Sequence, residues 1–380
     1  MSFGQDELHR DLVKMYHDFA QSTVKPLAAE IDEEERFPKE TIKQLAKMGF
    51  LGIPFPEVYG GTGMDNLSYV QCIEELSRAC ASTGVIVSAH TSLCAWPIYA
   101  FGTEEQKQKY LIPLTKGEKL GALGLTEAEA GTDVAGLLTT AVLDGEYYTL
   151  NGSKHFITNA GYADIFVIMA MTEKPQGTRG ISSFIVEDGM PGFSIGQREK
   201  KMGIRASATA ELFFHECRIP KENLLGEEGK GFKYAMMTLD GGRIGIAAQA
   251  LGIAQGAIDE TIAYVNARMQ FGKRVGQFQN TQFELADMQT KVDAARLLVY
   301  RAADAKDAGQ PYSHYAAMAK LFAANTANDV TRRCLQLFGG NGYMRDYPIE
   351  RMMRDAKITE IYEGTNEVQK MIISAWMGVK

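Results

Sequence analysis

The spacing of apolar residues changes period twice along this 380-residue chain, and that double switch constrains the fold more than any other feature. Over residues 6–120, apolar positions such as Leu12, Met15 and Phe19, then Ile42, Leu45 and Met48, recur three and four apart, the spacing of one helix face. Pro26, Pro38, Pro54, Pro56 and the Gly60-Gly61 pair cut this stretch into separate helices. From about Ala122 to Gly226 the runs Phe166-Val167-Ile168-Met169, Ser183-Phe184-Ile185-Val186 and Glu211-Leu212-Phe213-Phe214 have strand character, and Asp144-Gly145 and Asn151-Gly152 read as hairpin turns. After the glycines of residues 226–231 the helical spacing returns at Ile244, Leu251, Ile258, Ile262 and Val265, and Ala-rich helical segments follow over 292–305 and 315–337. The expected order is an all-α domain (1–121), an antiparallel β-domain (122–230) and a C-terminal four-helix bundle (231–380).

Length alone asks for two or three packed domains. The formal net charge of −7 is spread without long blocks of one sign, which argues against a nucleic-acid partner. No apolar stretch reads as the ~20 residues of a membrane span, so no stable membrane insertion is expected. The N-terminal residues resemble neither a signal nor a transit peptide. A bacterial cytoplasm is the expected location, with the mitochondrial matrix, for a trimmed mature protein, as the alternative. The 5 cysteines are scattered without a CxxC pair, which disfavours disulfides and a structural zinc.

Four stretches carry side chains suited to chemistry, each with a plainer reading beside it. Residues 125–133 (Leu125-Thr126-Glu127-Ala128-Glu129-Ala130-Gly131-Thr132-Asp133) put hydroxyls and a glycine into a short turn that can meet a polar ring edge or a phosphate, or can simply turn. Lys154-His155-Phe156-Ile157-Thr158-Asn159 alternates so that Phe156 and Thr158 share a face, as a flat cofactor requires; an isolated Phe is more often core. Asp240-Gly241-Gly242-Arg243 reads as the start of a helix where a ligand approaches the backbone, while Arg268-Met269-Gln270-Phe271-Gly272 and residues 336–342 add a cation, an amide and further glycines; surface arginines and helix-ending glycines look the same. Last, Glu363 sits between Ile361-Tyr362 and Gly364, where a mostly apolar wall would raise a carboxylate toward the working pH of a general base; a glutamate near a helix end is also ordinary surface charge.

Taken in register, Leu125-Thr126-Glu127 with Ala130-Gly131-Thr132-Asp133, Phe156-Ile157-Thr158-Asn159, Arg268-Met269-Gln270-Phe271-Gly272, Gln336-Leu337-Phe338-Gly339-Gly340-Asn341-Gly342-Tyr343 and Ile361-Tyr362-Glu363-Gly364-Thr365 resemble the signature segments of the acyl-CoA dehydrogenases, over essentially the whole chain and most closely the short-chain, butyryl-CoA kind. The resemblance implies FAD-dependent α,β-dehydrogenation of an acyl-CoA thioester to the trans-2-enoyl-CoA, with Glu363 abstracting the α-proton and flavin N5 taking the β-hydride. It implies FAD contacts from Leu123, Leu125, Thr126, Gly131, Thr132, Phe156, Ile157 and Thr158. Toward the adenine and pyrophosphate end, partly across a subunit interface, it implies Arg268, Phe271, Gln279, Gln336, Leu337, Phe338, Gly339 and Gly340, with Thr365, Asn366 and Glu367 completing the site. Thr132, Asp240, Gly241, Gly242, Arg243 and Gly364 match substrate-contacting positions, and no metal is implied. Electron-transferring flavoprotein as acceptor and a homotetramer follow from the same resemblance.

Three positions depart from the family pattern: Ala128 stands for the usual proline, Thr132 for serine and Phe156 for tryptophan. Relatives of the isovaleryl-CoA type carry their base immediately before the arginine matching Arg243; here that position is Gly242, which leaves Glu363. The competing readings are an acyl-CoA oxidase or a flavin monooxygenase on the same scaffold, and a non-catalytic helical scaffold protein.

Overall fold

The structure is a computed structural model that describes residues 6–379. Its first part is helical: Glu7–Phe19, Ala28–Glu33, Lys39–Lys47, Asn66–Ala79 and a helical run over Ala81–Phe101 are its main elements. Asp65 caps the fourth of these by accepting from the Ser68 N–H at 2.7 Å. Asp307, at the far end of a C-terminal helix, accepts from the Asn66 N–H at 2.9 Å and so closes the same helix start from another part of the chain.

Contrary to the sequence expectation, the run Ala81–Phe101 does have the length and apolar character of a membrane span, but most of it is buried inside the protein. It is a core helix, and its middle turn, Ala89–Ala95, is π-helical. Such wide turns are rare and gather at functional sites.

The middle part is a seven-stranded sheet: β1 Gly121–Gly124, β2 Thr140–Asp144, β3 Tyr147–Thr158, β4 Ile165–Met171, β5 Ile181–Glu187, β6 Phe193–Arg198 and β7 Thr209–Pro220. Every residue of β4 is buried, because strands flank it on both sides and its faces meet apolar neighbours. The sheet is mixed rather than purely antiparallel. β1 runs parallel to β4, since the chain between them crosses over through the 125–139 loop and the β2–β3 hairpin. Asp144-Gly145 makes that hairpin as expected, with Gly145 at φ 61°. Asn151-Gly152 does not turn. It lies inside β3 at a bulge, where the Asn151 side chain pairs with the Glu216 backbone and a Cβ on Gly152 would fall 2.7 Å from Thr139 Cα.

The last part contains three long helices, Gly231–Ala267, Gln279–Asp307 and Ser313–Phe338, joined by the shorter Ile349–Lys357 and Asn366–Trp376. The first of the long helices lies almost directly on the backbone of Asn66–Ala79. A Cβ on Gly252 would come 2.2 Å from the Glu74 carbonyl oxygen, and one on Gly256 2.4 Å from that of Arg78. A mid-helix glycine costs about 1 kcal/mol relative to alanine; here the close approach uses it to merge first and last helical parts into one core containing Tyr16, Ile73, Leu251 and Val299. Asp240-Gly241-Gly242-Arg243 lies well inside this helix and not at its start, which is Gly231.

Candidate active site

Glu363 occupies a short link between the 3-10 turn Ile358–Glu360 and the helix Asn366–Trp376, at φ 51° and followed by Gly364 at φ 87°. A left-handed conformation in a residue other than glycine costs free energy and persists only where neighbours enforce it. On one side the Tyr362 hydroxyl bonds the Gln249 side chain, whose amide in turn donates to the Ala81 carbonyl at 3.0 Å. On the other, the fully buried Gln369 donates to the Gly364 carbonyl at 2.8 Å, and Thr365 caps the following helix.

The turn aims the carboxylate at helix Gly231–Ala267. A Cβ built on Gly242 would sit 2.0 Å from Glu363 Oε2 and 2.8 Å from Leu93 Cδ2, so the missing side chain at 242 is what makes room for the carboxylate. Glu363 Oε2 is enclosed and, among the described residues, has no hydrogen-bond partner. Burial raises the Glu363 carboxyl to about 7, with the Arg243 and Lys320 charges pulling the other way. Arg243 is itself engaged by Asp240 at 2.5 Å, and Asp240 also accepts from the Ser313 hydroxyl at 2.8 Å. Lys320 is fully buried, faces Asn366 at 3.3 Å, and is lowered to about 8 by burial. The result is a carboxylate near two cations that hydrogen-bonds to neither.

The π turn Ala89–Ala95 carries this site over to the sheet. Leu93 borders Gly242, and the next residue, Cys94, is packed so tightly on β1 that a Cβ on Gly121 would lie 2.6 Å from it. β1 contributes the half-buried Leu123 and leads through Leu125 into the 125–132 turn. That turn is tied to β3 by the His155 N–H, which donates to the Thr126 carbonyl at 2.8 Å. A second bulge, between Lys154 and Ile157, puts Phe156 at φ 58° and leaves it 60% exposed. Ile157 is buried between the exposed Phe156 and the half-buried Thr158, the alternation expected of these three residues, while the bulge lies on the Lys154 side of Ile157. Half-buried Thr126 and Thr158, exposed Gly131 and Thr132, and the open Phe156 ring together offer hydroxyls and one flat apolar face, a set that fits an isoalloxazine. The Leu125 and Ile157 side chains are buried, so at those positions the backbone is what a ligand can meet.

The remaining expected cofactor residues form a second group at the far end of the helical part. Arg268, Gln270, Phe271 and Gln279 are exposed on or beside the β8 Met269–Gln270 and β9 Lys273–Arg274 hairpin, and Phe271 is 93% exposed. Gln336, Gly339 and Gly340 are exposed and Leu337 half-buried, whereas the Phe338 ring is buried and stacked on Tyr264 with centroids 4.1 Å apart. Tyr264 unites the group: its carbonyl receives the Arg268 N–H at 2.8 Å, and its hydroxyl donates to the Phe338 carbonyl at 3.2 Å. No hydrogen bond among the described residues joins this group to the 125–132 turn or to Phe156. Of the last three expected residues, Glu367 is exposed, Thr365 is the helix cap, and Asn366 is turned inward between Lys320 and Asn325.

Lys320, Gln249 and Gln369 were not anticipated, and Glu127 and Lys154 were quoted within candidate stretches without a role of their own. Each is a polar side chain that sequence reading assigns to the surface, and each is buried here. The Gly245, Gly252 and Gly256 spacing along one helix face was the available signal that this helix is approached closely.

Comparison with known proteins matches this arrangement along the chain. The descriptions of the N-terminal, middle and C-terminal domains of the acyl-CoA dehydrogenases match residues 6–118, 122–217 and 229–378. The short-chain-specific acyl-CoA dehydrogenase of Clostridium acetobutylicum is 60% identical over 370 residues, 97% of either chain. The solved butyryl-CoA dehydrogenase of Megasphaera elsdenii superposes with a TM-score of 0.97 at 51% identity, covering 99% of this chain and 100% of that one. A chain solved in work on the electron transferring flavoprotein of Acidaminococcus fermentans superposes at 0.98 with 54% identity and covers 99% of both. This chain belongs to the acyl-CoA dehydrogenase family.

Proposed function

We propose that the protein is an FAD-dependent dehydrogenase of short-chain acyl-CoA thioesters and forms the trans-2-enoyl-CoA, with Glu363 as the base. The observation that carries this reading is the enclosed Glu363 Oε2, unpaired beside a glycine that leaves space for it. A group that must take a weakly acidic α-proton needs a free lone pair, exclusion of water and an affinity for protons near the working pH. The unpaired, enclosed Glu363 Oε2 and a carboxyl raised to about 7 supply the first and last of these, and bound acyl-CoA would complete the exclusion of water from this half-buried residue. Arg243 and Lys320 keep it from rising further, so that enough of it stays ionised to accept the proton. The Glu363 backbone N–H lies on the same strained turn and is the chain's own donor for the thioester carbonyl. Thr132, Asp240, Gly241, Gly242, Arg243 and Gly364 are assigned to the acyl-CoA.

FAD, held by the 123–132 segment and residues 156–158, supplies the acceptor for the β-hydride. Arg268, Phe271, Gln279, Gln336–Gly340 and the Thr365–Glu367 helix start are assigned to the adenine and pyrophosphate end. The exposure of Arg268, Phe271, Gln279, Gln336, Gly339, Gly340 and Glu367 fits residues that complete the site of a neighbouring copy in a homotetramer. Electron-transferring flavoprotein is the proposed acceptor, the bacterial cytoplasm the proposed location, and 1–121, 122–230 and 231–380 the proposed domains. The test is an anaerobic titration in which the bound flavin is bleached by butyryl-CoA. A protein that takes up no FAD, or whose flavin is bleached by no acyl-CoA, overturns the reading.

A further inference from the structure

The 126–139 loop between β1 and β2 has little regular structure: one bridge between Glu127 and Ala130 and the 3-10 turn Val134–Gly136. Ala128, Glu129, Gly131, Thr132 and Asp133 are exposed, yet this loop presents the hydroxyls and the glycine assigned above to the flavin. A loop so lightly packed needs something to fix its shape. Of its charged side chains only Glu127 is turned inward, at 7% exposure.

The contacts of Glu127 bind both ends of the loop. Oε1 accepts from Lys154 Nζ at 2.7 Å and from the Thr139 N–H at 3.0 Å, and Oε2 accepts from the Leu138 N–H at 2.6 Å. Lys154 is fully buried on β3, immediately before the bulge that turns Phe156 outward, and it also donates to the Leu125 carbonyl at 3.2 Å. One carboxylate and one ammonium thus join the loop's beginning, its end and the aromatic strand. Charge-assisted hydrogen bonds are the short, directional kind that hold such geometry. A buried ion pair adds little net stability over an apolar substitute, and fixing a single arrangement is the better-attested use of one.

We propose that Glu127 and Lys154 are positioning residues that lock the 126–139 loop against Phe156 and so set the affinity and the environment of the flavin. The inference rests on the function proposed above and goes beyond it, because neither side chain needs to touch the cofactor.

The test compares wild type, Glu127→Gln, Lys154→Met and the double variant, each stripped of flavin and titrated with FAD, with the visible circular dichroism and midpoint potential of the bound flavin as further readouts. The expected result is FAD binding weakened about 10- to 100-fold in each single variant, the range typical when outer partners of a binding shell are lost. The double variant, with no uncompensated buried charge, is expected to regain stability without regaining the wild-type flavin dichroism. Single variants that melt earlier but bind FAD with wild-type affinity, dichroism and potential reduce the pair to a support of the fold and overturn the inference. If no variant folds, hydrogen exchange on the wild-type holoenzyme decides: the Leu138 and Thr139 amides should exchange as slowly as those of β3 and slower than in the flavin-free protein, and exchange at exposed-loop rates overturns the clamp. A wild type that takes no FAD overturns this inference together with the functional reading; a wild type that binds FAD no better than its variants overturns this inference alone.

Discussion

Glu127 is a buried glutamate and Glu363 a half-buried one with an enclosed Oε2, and their protons are held in opposite ways. Burial raises both carboxyls. At Glu127 the Lys154 charge and the Leu138 and Thr139 N–H groups outweigh burial and hold it below the usual carboxylate range. At Glu363 burial prevails, because its two cations are engaged elsewhere, Arg243 with Asp240 and Lys320 with Asn366. What separates a structural carboxylate from a basic one is therefore whether its lone pairs are occupied, more than how deeply it is buried.

The widest separation should appear in the reduction of bound flavin by butyryl-CoA. Glu363→Gln is expected to slow it by about 10³- to 10⁴-fold, the upper part of the range for losing a general base, with fold and flavin retained. Glu127→Gln, measured on the fraction that holds FAD, is expected to slow it less than about tenfold. Stopped-flow bleaching reads both, and a near wild-type rate in Glu363→Gln ends the assignment of the base.

Thermal and denaturant melts should invert the order. Removing one partner of a buried, hydrogen-bonded pair typically costs 3–5 kcal/mol, so Glu127→Gln should lose roughly that amount at neutral pH. A loss under about 1 kcal/mol would mean that the pair is solvated and the contrast with Glu363 false.

Gly242→Ala probes the space around the base. Alanine gains about 1 kcal/mol of helix propensity, but its Cβ would overlap Glu363 Oε2 and must displace it. Shifting a reacting group by about 1 Å can cost on the order of 10²-fold, and that loss in flavin reduction is expected with little change in FAD affinity. An unaffected rate would show that the carboxylate reacts from another position.

How much of this contrast was readable beforehand follows from the interactions involved. The order of helical, β and helical parts lies in local periodicity, and the stretch holding Glu363 lies in a compact run, so both were accessible from sequence. Glu127 was seen only as part of a turn, because its meaning depends on Lys154, a partner distant in sequence. The parallel pairing of β1 with β4 was missed for a related reason: hairpin signals are local, whereas a crossover is defined only once the sheet has formed. Ala81–Phe101 was under-read as a span candidate because its Ser, Thr and His residues interrupt the apolar run without lowering its overall character.

The pH dependence of chemistry sharpens the contrast further. The proposed role requires Glu363 ionised, and its carboxyl lies at about 7. Flavin reduction should therefore fall roughly tenfold per pH unit below that value and level off above it. Glu127, already ionised there, should contribute no inflection. A rate flat from pH 5 to 8 would remove the raised base from the mechanism.

The smallest effect, and the one that most directly separates the two glutamates, is the stability of Glu363→Gln. A carboxyl whose folded value stands at about 7, above the ordinary 4.5, binds more protons folded than unfolded between those values. Stability then falls as pH rises through that window, and the penalty is complete above it. Replacing this carboxylate with a neutral amide should stabilise the protein by roughly 3 kcal/mol at pH 8, while near pH 4 the two proteins should melt together. Glu127 has the opposite sign: its folded value is depressed, so its contribution is present above the ordinary carboxylate value and lost as pH falls through the folded one. Melting curves of wild type, Glu363→Gln and Glu127→Gln followed from pH 8 down to pH 3 test both signs, that of Glu363 between pH 7 and 4.5 and that of Glu127 below 4.5. A Glu363→Gln protein that is less stable than wild type at pH 8 would mean that its enclosed oxygen is paired in solution, and the basis for treating it as a held-ready base would be lost.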